Sequence, residues 1–336
     1  MKTLIIAEAG VNHNGILDNA LLLIDKAKEA GADCVKFQTF KAEQIVTLNA
    51  PKAKYQMEVT DRAESQFEML KKLELGFEDY KVLIKRCREK EIDFMSTPYN
   101  KEDADFLESL DVASYKIASG QLTELPFLQY VARKKKQMII STGMATMAEV
   151  FNAVQTIRME GNNDIVVLQC TTNYPSRIED VNLLAMLSIK EACKVRIGYS
   201  DHVENNYACF AAVALGAEIV EKHFTLDKQM NGPDHSSSLN PDEFKELTSG
   251  IRNIEKSLGS GIKTPSPSEI DNTFGMKRSL VLLSDVEAGT ILTAELIGFK
   301  RPLNGLAVNM FDIVVGKQLA IAMKKDEALQ YNSIVW

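Results

Sequence analysis

Eight short runs of β-branched or apolar residues recur along the first two-thirds of the chain, at 3–8, 34–38, 93–97, 114–119, 137–141, 165–170, 195–199 and 218–223. Most are separated by stretches with apolar residues at helical spacing, as in LDNALLLIDKAKEAGAD, where positions 17, 20, 21, 24, 27 and 30 are apolar. Strands alternating with helices at roughly 20–30-residue intervals indicate parallel βαβ units. Eight such units indicate an α/β fold of the (β/α)8 TIM-barrel class. A doubly wound sheet is the alternative, but no GxGxxG follows the first strand.

The barrel is expected to occupy 1–260, closed by a helix over 241–258. The Gly/Ser/Pro-rich GSGIKTPSPSEIDN reads as a linker, 261–276. From Lys277 the pattern changes to short strands and turns, giving a small domain over 277–336. At about 60 residues such a domain is marginal alone, so it is expected to dock on something. One long insertion, 40–77, separates strand two from its helix, and APKAKYQ and SQFEML within it suggest a structured loop over the barrel mouth.

Composition narrows the class. Hydrophobic residues are 45% and charged residues 25%, and a formal charge of −7 leaves no global field for nucleic acid. The five cysteines form no CxxC pair and are odd in number, which points to buried thiols in a reduced, cytoplasmic interior. No apolar run approaches the ~20 residues of a membrane span, and the N-terminal run lacks the pattern of a signal peptide.

In such barrels the active site lies at the C-terminal strand ends. Here those ends carry Glu8, Lys36 and Gln38, Thr97, Lys116 and Ser119, Ser141, Thr172 to Tyr174, Ser200 to His202, and Glu221 to His223. His202 and His223 end adjacent strands and make a plausible open divalent site, Mn2+ or Mg2+ in preference to a closed structural zinc. Lysines within strands need counter-charges or a ligand. Lys36 and Lys116 either pair with carboxylates or, with Thr97, Ser119, Ser141 and Ser200, hold a small multiply charged anion. A Schiff-base lysine is the rival. Glu8 reads as a general acid or base, or as a structural acceptor. Asp234, in the loop GPDHSSS, suits a polyol, while Arg301, in KRPLNG, reads as a surface residue. His13 and His235 sit on loops at the same end, and their role is left open.

The chain resembles the sialic acid (nonulosonate) synthase family, which includes N-acetylneuraminate and N,N'-diacetyllegionaminate synthases. The resemblance runs through AEAGVNHNG, VKFQTF, STPY, YKIASGQ, STGMAT, GYSDH, EKHFTLD, GPDHSSSLNPDEF and KRPLNG. It implies a barrel followed by a C-terminal antifreeze-like (SAF) domain. It also implies phosphoenolpyruvate-dependent condensation of an N-acetylated mannose-type sugar into a nine-carbon α-keto acid, with Mn2+ or Mg2+. By the same resemblance, His202 and His223 hold the metal and Glu8 handles protons of the attacking water. Lys36, Thr97, Lys116, Ser119, Ser141 and Ser200 hold phosphoenolpyruvate, with Thr172 or Asn173 supplying a strand-six contact. Gln38, Gln121, Tyr174 and Asp234 face the sugar. The family is a domain-swapped homodimer in which Arg301 reaches the partner's substrate.

Between candidate sugars, the first motif and APKAKYQ lean toward legionaminate synthases. A Schiff-base pyruvate aldolase and a non-catalytic binding protein using the antifreeze-like domain are the competing functions.

Overall fold

The computed structural model describes residues 2–53, 56–57, 60–61 and 63–336. It divides into two compact units, Met1–Gly259 and Ser260–Trp336. In the first unit the strands are β1 (Leu4–Gly10), β2 (Cys34–Thr39), β3 (Asp93–Pro98), β4 (Ser114–Ile117), β5 (Gln137–Ser141), β6 (Ile165–Cys170), β7 (Arg196–Asp201) and β8 (Ile219–His223). They pair in parallel in the order β3-β2-β1-β8-β7-β6-β5-β4, a nearly closed TIM-type barrel. Strands β3 and β4 adjoin at the seam, where no ladder pairing is found among the described residues.

All eight strands lie within two residues of their expected bounds. The fourth stops two residues early, at Ile117, because Ser119–Gln121 turns back on itself, with the Leu122 amide donating to the Ser119 carbonyl at 3.2 Å. Connecting helices begin where the sequence supplies caps. Asn100 accepts from the Asp103 amide ahead of Lys101–Ser109, Thr146 and Glu149 form a capping box on Met147–Met159, and Asn240 and Glu243 do so on Pro241–Leu258. In each, an orphan amide of the first turn is satisfied by a side chain.

Strand period two sets what faces the barrel axis. Ile6, Cys34, Met95, Ile139, Val166, Leu168 and Ile219 form one small apolar cluster, separate from the large core between sheet and helices. Two residues further along the same strands come Glu8, Lys36, Thr97, Ser141, Cys170 and Glu221. All are buried. The barrel interior is therefore apolar below and polar at the C-terminal end.

The insertion after β2 is structured. It contains α1 (Ala42–Ile45) and α2 (Gln66–Lys72), the latter started by a Ser65–Glu68 capping box. Of APKAKYQ, Lys54 and Tyr55 lie outside the described residues. Lys52 is buried, donating to the Thr60 hydroxyl at 2.9 Å and pairing with Glu64 at 2.9 Å.

In the second unit the stretch expected to be linker carries a helix, Pro267–Met276. Ser-Pro-Ser-Glu, read above as flexible composition, is a helix start: Ser266 caps, Pro267 opens the first turn and Glu269 completes the box. Two antiparallel pairs follow, Ser279–Leu282 with Ile297–Lys300 and Gln318–Leu319 with Ile334–Val335, around a core that includes Leu280, Leu292, Leu319 and Leu329. All five cysteines are buried and free.

The loops after β1 and β8 are laced together. Asn12 donates to the Phe224 carbonyl and to Ser238 Oγ, both at 2.9 Å, and His235 Nε2 meets Asn14 Oδ1 at 3.2 Å. His13 Nδ1 accepts from the Gly15 amide at 3.0 Å, and His235 Nδ1 meets Thr225 Oγ1 at 2.6 Å. Both histidines are buried structural links, and burial holds each down to about 4.

Their pKa values are lower folded than unfolded, so the unfolded chain binds more protons between pH 6.5 and 4. Their stabilisation is complete above pH 6.5 and lost as pH falls through 4. Asp103, which burial pushes up to about 6, acts with the opposite sign over an overlapping window. Urea midpoints should therefore fall between pH 7 and 4.5. The slope should be shallower in His235→Gln, by on the order of 3 kcal/mol across the window. An unchanged slope would remove His235 from this account.

Candidate active site

The polar layer lines one cavity of about 480 Å3 at the C-terminal ends of the strands. Its floor is a chain of alternating charges. Glu8 Oε2 lies 2.8 Å from Lys36 Nζ, Lys36 Nζ lies 3.6 Å from Glu221 Oε2, and Lys116 Nζ lies 3.5 Å from Glu221 Oε1. None of these side chains is more than 6% exposed. Both lysines are thus ion-paired, the alternative kept open from the sequence.

The two carboxylates are driven apart. Burial raises Glu8, with Lys36 opposing and Glu221 adding to the rise. Burial also works to raise Glu221, but Lys116, Lys36 and the Ser200 hydroxyl outweigh it and hold it at about 2. Acids separated in this way divide labour: Glu221 stays an anion, while Glu8 is the one able to exchange a proton. Glu8 Oε1 accepts from Gln38 Nε2 at 3.0 Å, and Gln38 Oε1 accepts from the Tyr99 hydroxyl at 3.1 Å. Gly10 permits this arrangement. Its φ is +51°, and a Cβ there would stand 3.1 Å from Glu8 Oε1 and 3.2 Å from Gln38 Nε2.

Hydroxyls surround the lysines. Lys36 donates to Thr97 at 3.2 Å, Lys116 to Ser141 at 2.7 Å, and Ser200 donates to Glu221 at 3.0 Å. Beyond Lys116 the Gly143 amide donates to Ser119 Oγ at 3.0 Å, and Thr172 Oγ1 is buried with no partner. A Cβ at Gly143 would fall 1.9 Å from Thr172 Oγ1 and 2.9 Å from Ser119 Oγ. The backbone glycine keeps a cradle of hydroxyls open beside an ammonium group, which is a donor set for an oxyanion.

On the opposite side, the rings of His202 and His223 have centroids 5.3 Å apart, with the Tyr174 ring 4.1 Å from His202 and 5.5 Å from His223. His202 Nδ1 donates to the Thr171 carbonyl at 2.7 Å, so the neutral ring keeps its lone pair on Nε2; burial works to lower its pKa, but Cys170 and that carbonyl outweigh it and raise it. Burial, with His202 and Lys36 nearby, holds His223 neutral, and its Nδ1 is buried without a hydrogen bond. Asp234 Oδ2 lies 3.8 Å from that nitrogen, and burial pushes Asp234 up to about 6. Two imidazoles, His223 orphaned and held neutral and His202 with one nitrogen tied to a carbonyl, fit two ligands of a divalent ion once both are deprotonated. No group of three or more His, Cys, Asp or Glu is placed to hold a metal among the described residues.

Most residues singled out from the sequence meet in this cavity: Glu8, Lys36, Gln38, Thr97, Lys116, Ser119, Gln121, Ser141, Thr172, Tyr174, Ser200, His202, His223 and Asp234. Asn173 does not line it and is exposed, so Thr172 is the strand-six residue present. Gln121 spends its amide on backbone, donating to the Pro98 and Tyr99 carbonyls at 3.2 and 3.1 Å across the β3–β4 seam. Arg301 is exposed in the second unit. The sequence reading placed Glu221 at a strand end but gave it no role; it shares the inward face of β8 with His223, and the period of two from that histidine points to it. Tyr99, the last residue of STPY, was given no role either.

Lys222, between them, faces outward. It pairs with Asp201 at 2.5 Å and donates to the Asn205 carbonyl at 2.8 Å. Asp201 also accepts from Tyr199 at 2.8 Å and from the Val203 amide at 3.0 Å. The pair straddles the register Asp201↔Lys222, one residue before each histidine.

Comparison with known proteins gives a consistent match. The NeuB family model matches residues 23–263, and the SAF domain model matches 277–335. The chain is 45% identical over 331 residues to the N,N'-diacetyllegionaminic acid synthase of Campylobacter jejuni, covering 98% of this chain and 99% of that protein. It is 42% identical to the enzyme of the same name from Legionella pneumophila, over 99% of this chain and 95% of the relative. Among solved structures, N-acetylneuraminic acid (sialic acid) synthetase from Leptospira borgpetersenii superposes with a TM-score of 0.73 at 33% identity, covering 81% of this chain and 90% of that one.

Two substitutions test the geometry. Lys222→Met strands a buried Asp201 carboxylate and should cost about 3–5 kcal/mol in chemical denaturation, much of it recovered in Asp201→Asn/Lys222→Met. Gly143→Ala should fold but lose roughly 100-fold in affinity for an oxyanion ligand, read by calorimetry with phosphoenolpyruvate. Undiminished binding would place the anion elsewhere.

Proposed function

The chain belongs to the NeuB family, and on that premise we propose that it is a phosphoenolpyruvate-dependent nonulosonate synthase. It condenses phosphoenolpyruvate with an N-acetylated mannose-type sugar and releases phosphate. The candidate sugars are 2,4-diacetamido-2,4,6-trideoxymannose, giving N,N'-diacetyllegionaminate, and N-acetylmannosamine, giving N-acetylneuraminate. The single observation that carries the reading is the convergence of an oxyanion cradle, a buried carboxylate of raised pKa and a pair of histidine rings in one cavity. Relatives named as synthases of these acids, 45% and 42% identical, support it.

In the reaction, C3 of phosphoenolpyruvate forms a bond to the sugar aldehyde carbon. Water adds at C2, and the C2–O bond to phosphate breaks. Lys116, Ser119, Ser141 and Thr172 receive phosphate and carboxylate oxygens, with Lys36, Thr97 and Ser200 completing the floor. Glu221 holds the two ammonium groups in place before substrate arrives. Glu8, held by Gln38, takes the proton of the attacking water. His202 and His223 would hold a Mn2+ or Mg2+ ion, which when bound polarises an aldehyde oxygen. Tyr174 packs against both rings and fixes their orientation. Asp234 and Gln38 face the sugar hydroxyls.

We extend the proposal to a cytoplasmic homodimer in which the C-terminal unit of one copy caps the barrel of another and Arg301 contacts the partner's substrate. Truncation after Gly261 with full retention of dimer mass and activity would remove that extension.

The test of the main reading offers purified protein, Mn2+ and phosphoenolpyruvate to each sugar and measures phosphate release and product mass. Release with either sugar is expected, abolished by EDTA and lowered about 10²–10⁴-fold in Glu8→Gln. Full activity in EDTA, with borohydride trapping of a lysine–pyruvate adduct, would establish the aldolase instead.

A further inference from the structure

Glu8 is faced by the side-chain amide of Gln38, and an amide is nearly symmetric in shape but not in polarity. Turned one way, Gln38 offers Glu8 an N–H. Turned the other way, it offers a carbonyl oxygen, which repels a carboxylate. Glu8 is buried, so bulk water cannot make good the wrong orientation. Nothing in the Gln38 side chain itself chooses between the two.

The choice is made at the far end of the amide. The Tyr99 hydroxyl donates to Gln38 Oε1 at 3.1 Å, which leaves Nε2 to donate to Glu8 Oε1 at 3.0 Å. A reversed amide would set its oxygen against Glu8 Oε1 and turn its N–H toward the Tyr99 oxygen, whose own proton would lose this acceptor. The second N–H of the amide stays available to a ligand in the cavity, which Gln38 also lines.

Tyr99 is itself pinned. Its backbone amide donates to Asp103 Oδ2 at 3.3 Å, and its carbonyl accepts from Gln121 Nε2 at 3.1 Å. Its ring meets Phe40 edge to face, with centroids 5.9 Å apart. The main chain of Gln38 is held as well, because the Tyr80 hydroxyl donates to its carbonyl at 2.6 Å. With both backbones fixed, the amide has two orientations to choose from and one hydroxyl to decide between them.

We propose that Tyr99 is a positioning residue whose hydroxyl fixes the polarity of the Gln38 amide, so that the amide holds Glu8 ready to accept the proton of the attacking water. The Gln121 clasp across the β3–β4 seam thereby reaches the proton-handling carboxylate through Tyr99 and Gln38. This rests on the synthase reading above, in which Glu8 takes that proton.

The test measures single-turnover phosphate release from phosphoenolpyruvate, with Mn2+ and each candidate sugar, in wild type, Tyr99→Phe, Gln38→Leu and the double variant. Tyr99→Phe should lower the maximal rate about 10-fold. The half-saturating sugar concentration and the calorimetric affinity for phosphoenolpyruvate should stay within about twofold of wild type, a split that general loosening of the site would not give. In Gln38→Leu there is no amide to orient, and Glu8 keeps its Lys36 partner. Adding Tyr99→Phe to that background should therefore cost less than about twofold more. A Tyr99→Phe rate within about twofold of wild type, a loss carried by sugar or phosphoenolpyruvate affinity, or equal losses in both backgrounds overturns the inference and leaves the synthase reading intact. No phosphate release by wild type with either sugar overturns both.

Discussion

The first unit depends on how four charges are kept in the middle of a barrel. Lys36 sits between Glu8 and Glu221, and Glu221 between Lys36 and Lys116. Any one of these buried without the others would carry a large desolvation cost. Together they neutralise one another, and the hydroxyls of Thr97, Ser141 and Ser200 take up remaining bonding capacity. The arrangement leaves an acid of raised pKa, an acid of lowered pKa and two anchored ammonium groups. It stabilises the floor and arms it at once.

Strand alternation makes this affordable. The same strands that bring charges to the C-terminal end fill the barrel beneath with Ile6, Met95, Ile139 and Leu168. The outward face between the inward residues carries its own buried pair, Asp201 and Lys222, whose partners tie down the loop after β7. His202 and His223 follow immediately on those two residues, so the position of the imidazoles is set by an ion pair on the far side of the sheet. At the seam between β3 and β4 a side chain substitutes for missing ladder bonds: the Gln121 amide bridges from the fourth strand's end to the backbone of the third.

A division of labour follows within one unit. Residues on strands supply the reactive groups, and the insertion after β2 shapes what can lie above them. Its cluster around Phe40 and Met69 is independent of the main core. The short loops after β1 and β8 are tied together by hydrogen bonds that include the buried His235.

The fold was legible because periodicity is a local property. Eight apolar runs separated by amphipathic stretches admit few architectures, and the strand tips could be read as one mouth before any contact was known. His202 and His223 were recognisable as a pair for the same reason. Other features needed three dimensions. Whether Lys36 and Lys116 were free or paired depends on distances to Glu8 and Glu221 across the barrel, which no spacing encodes. Gln121 lay at the right strand end, yet its amide is consumed by backbone from a neighbouring strand. Thr172 and Asn173 are adjacent in sequence, and only the path of the chain after β6 turns one inward and leaves the other in solvent. The sequence by itself determined which residues end the strands. Tertiary structure alone decided which charges neutralise one another, because that is a matter of a few ångströms between side chains distant along the chain.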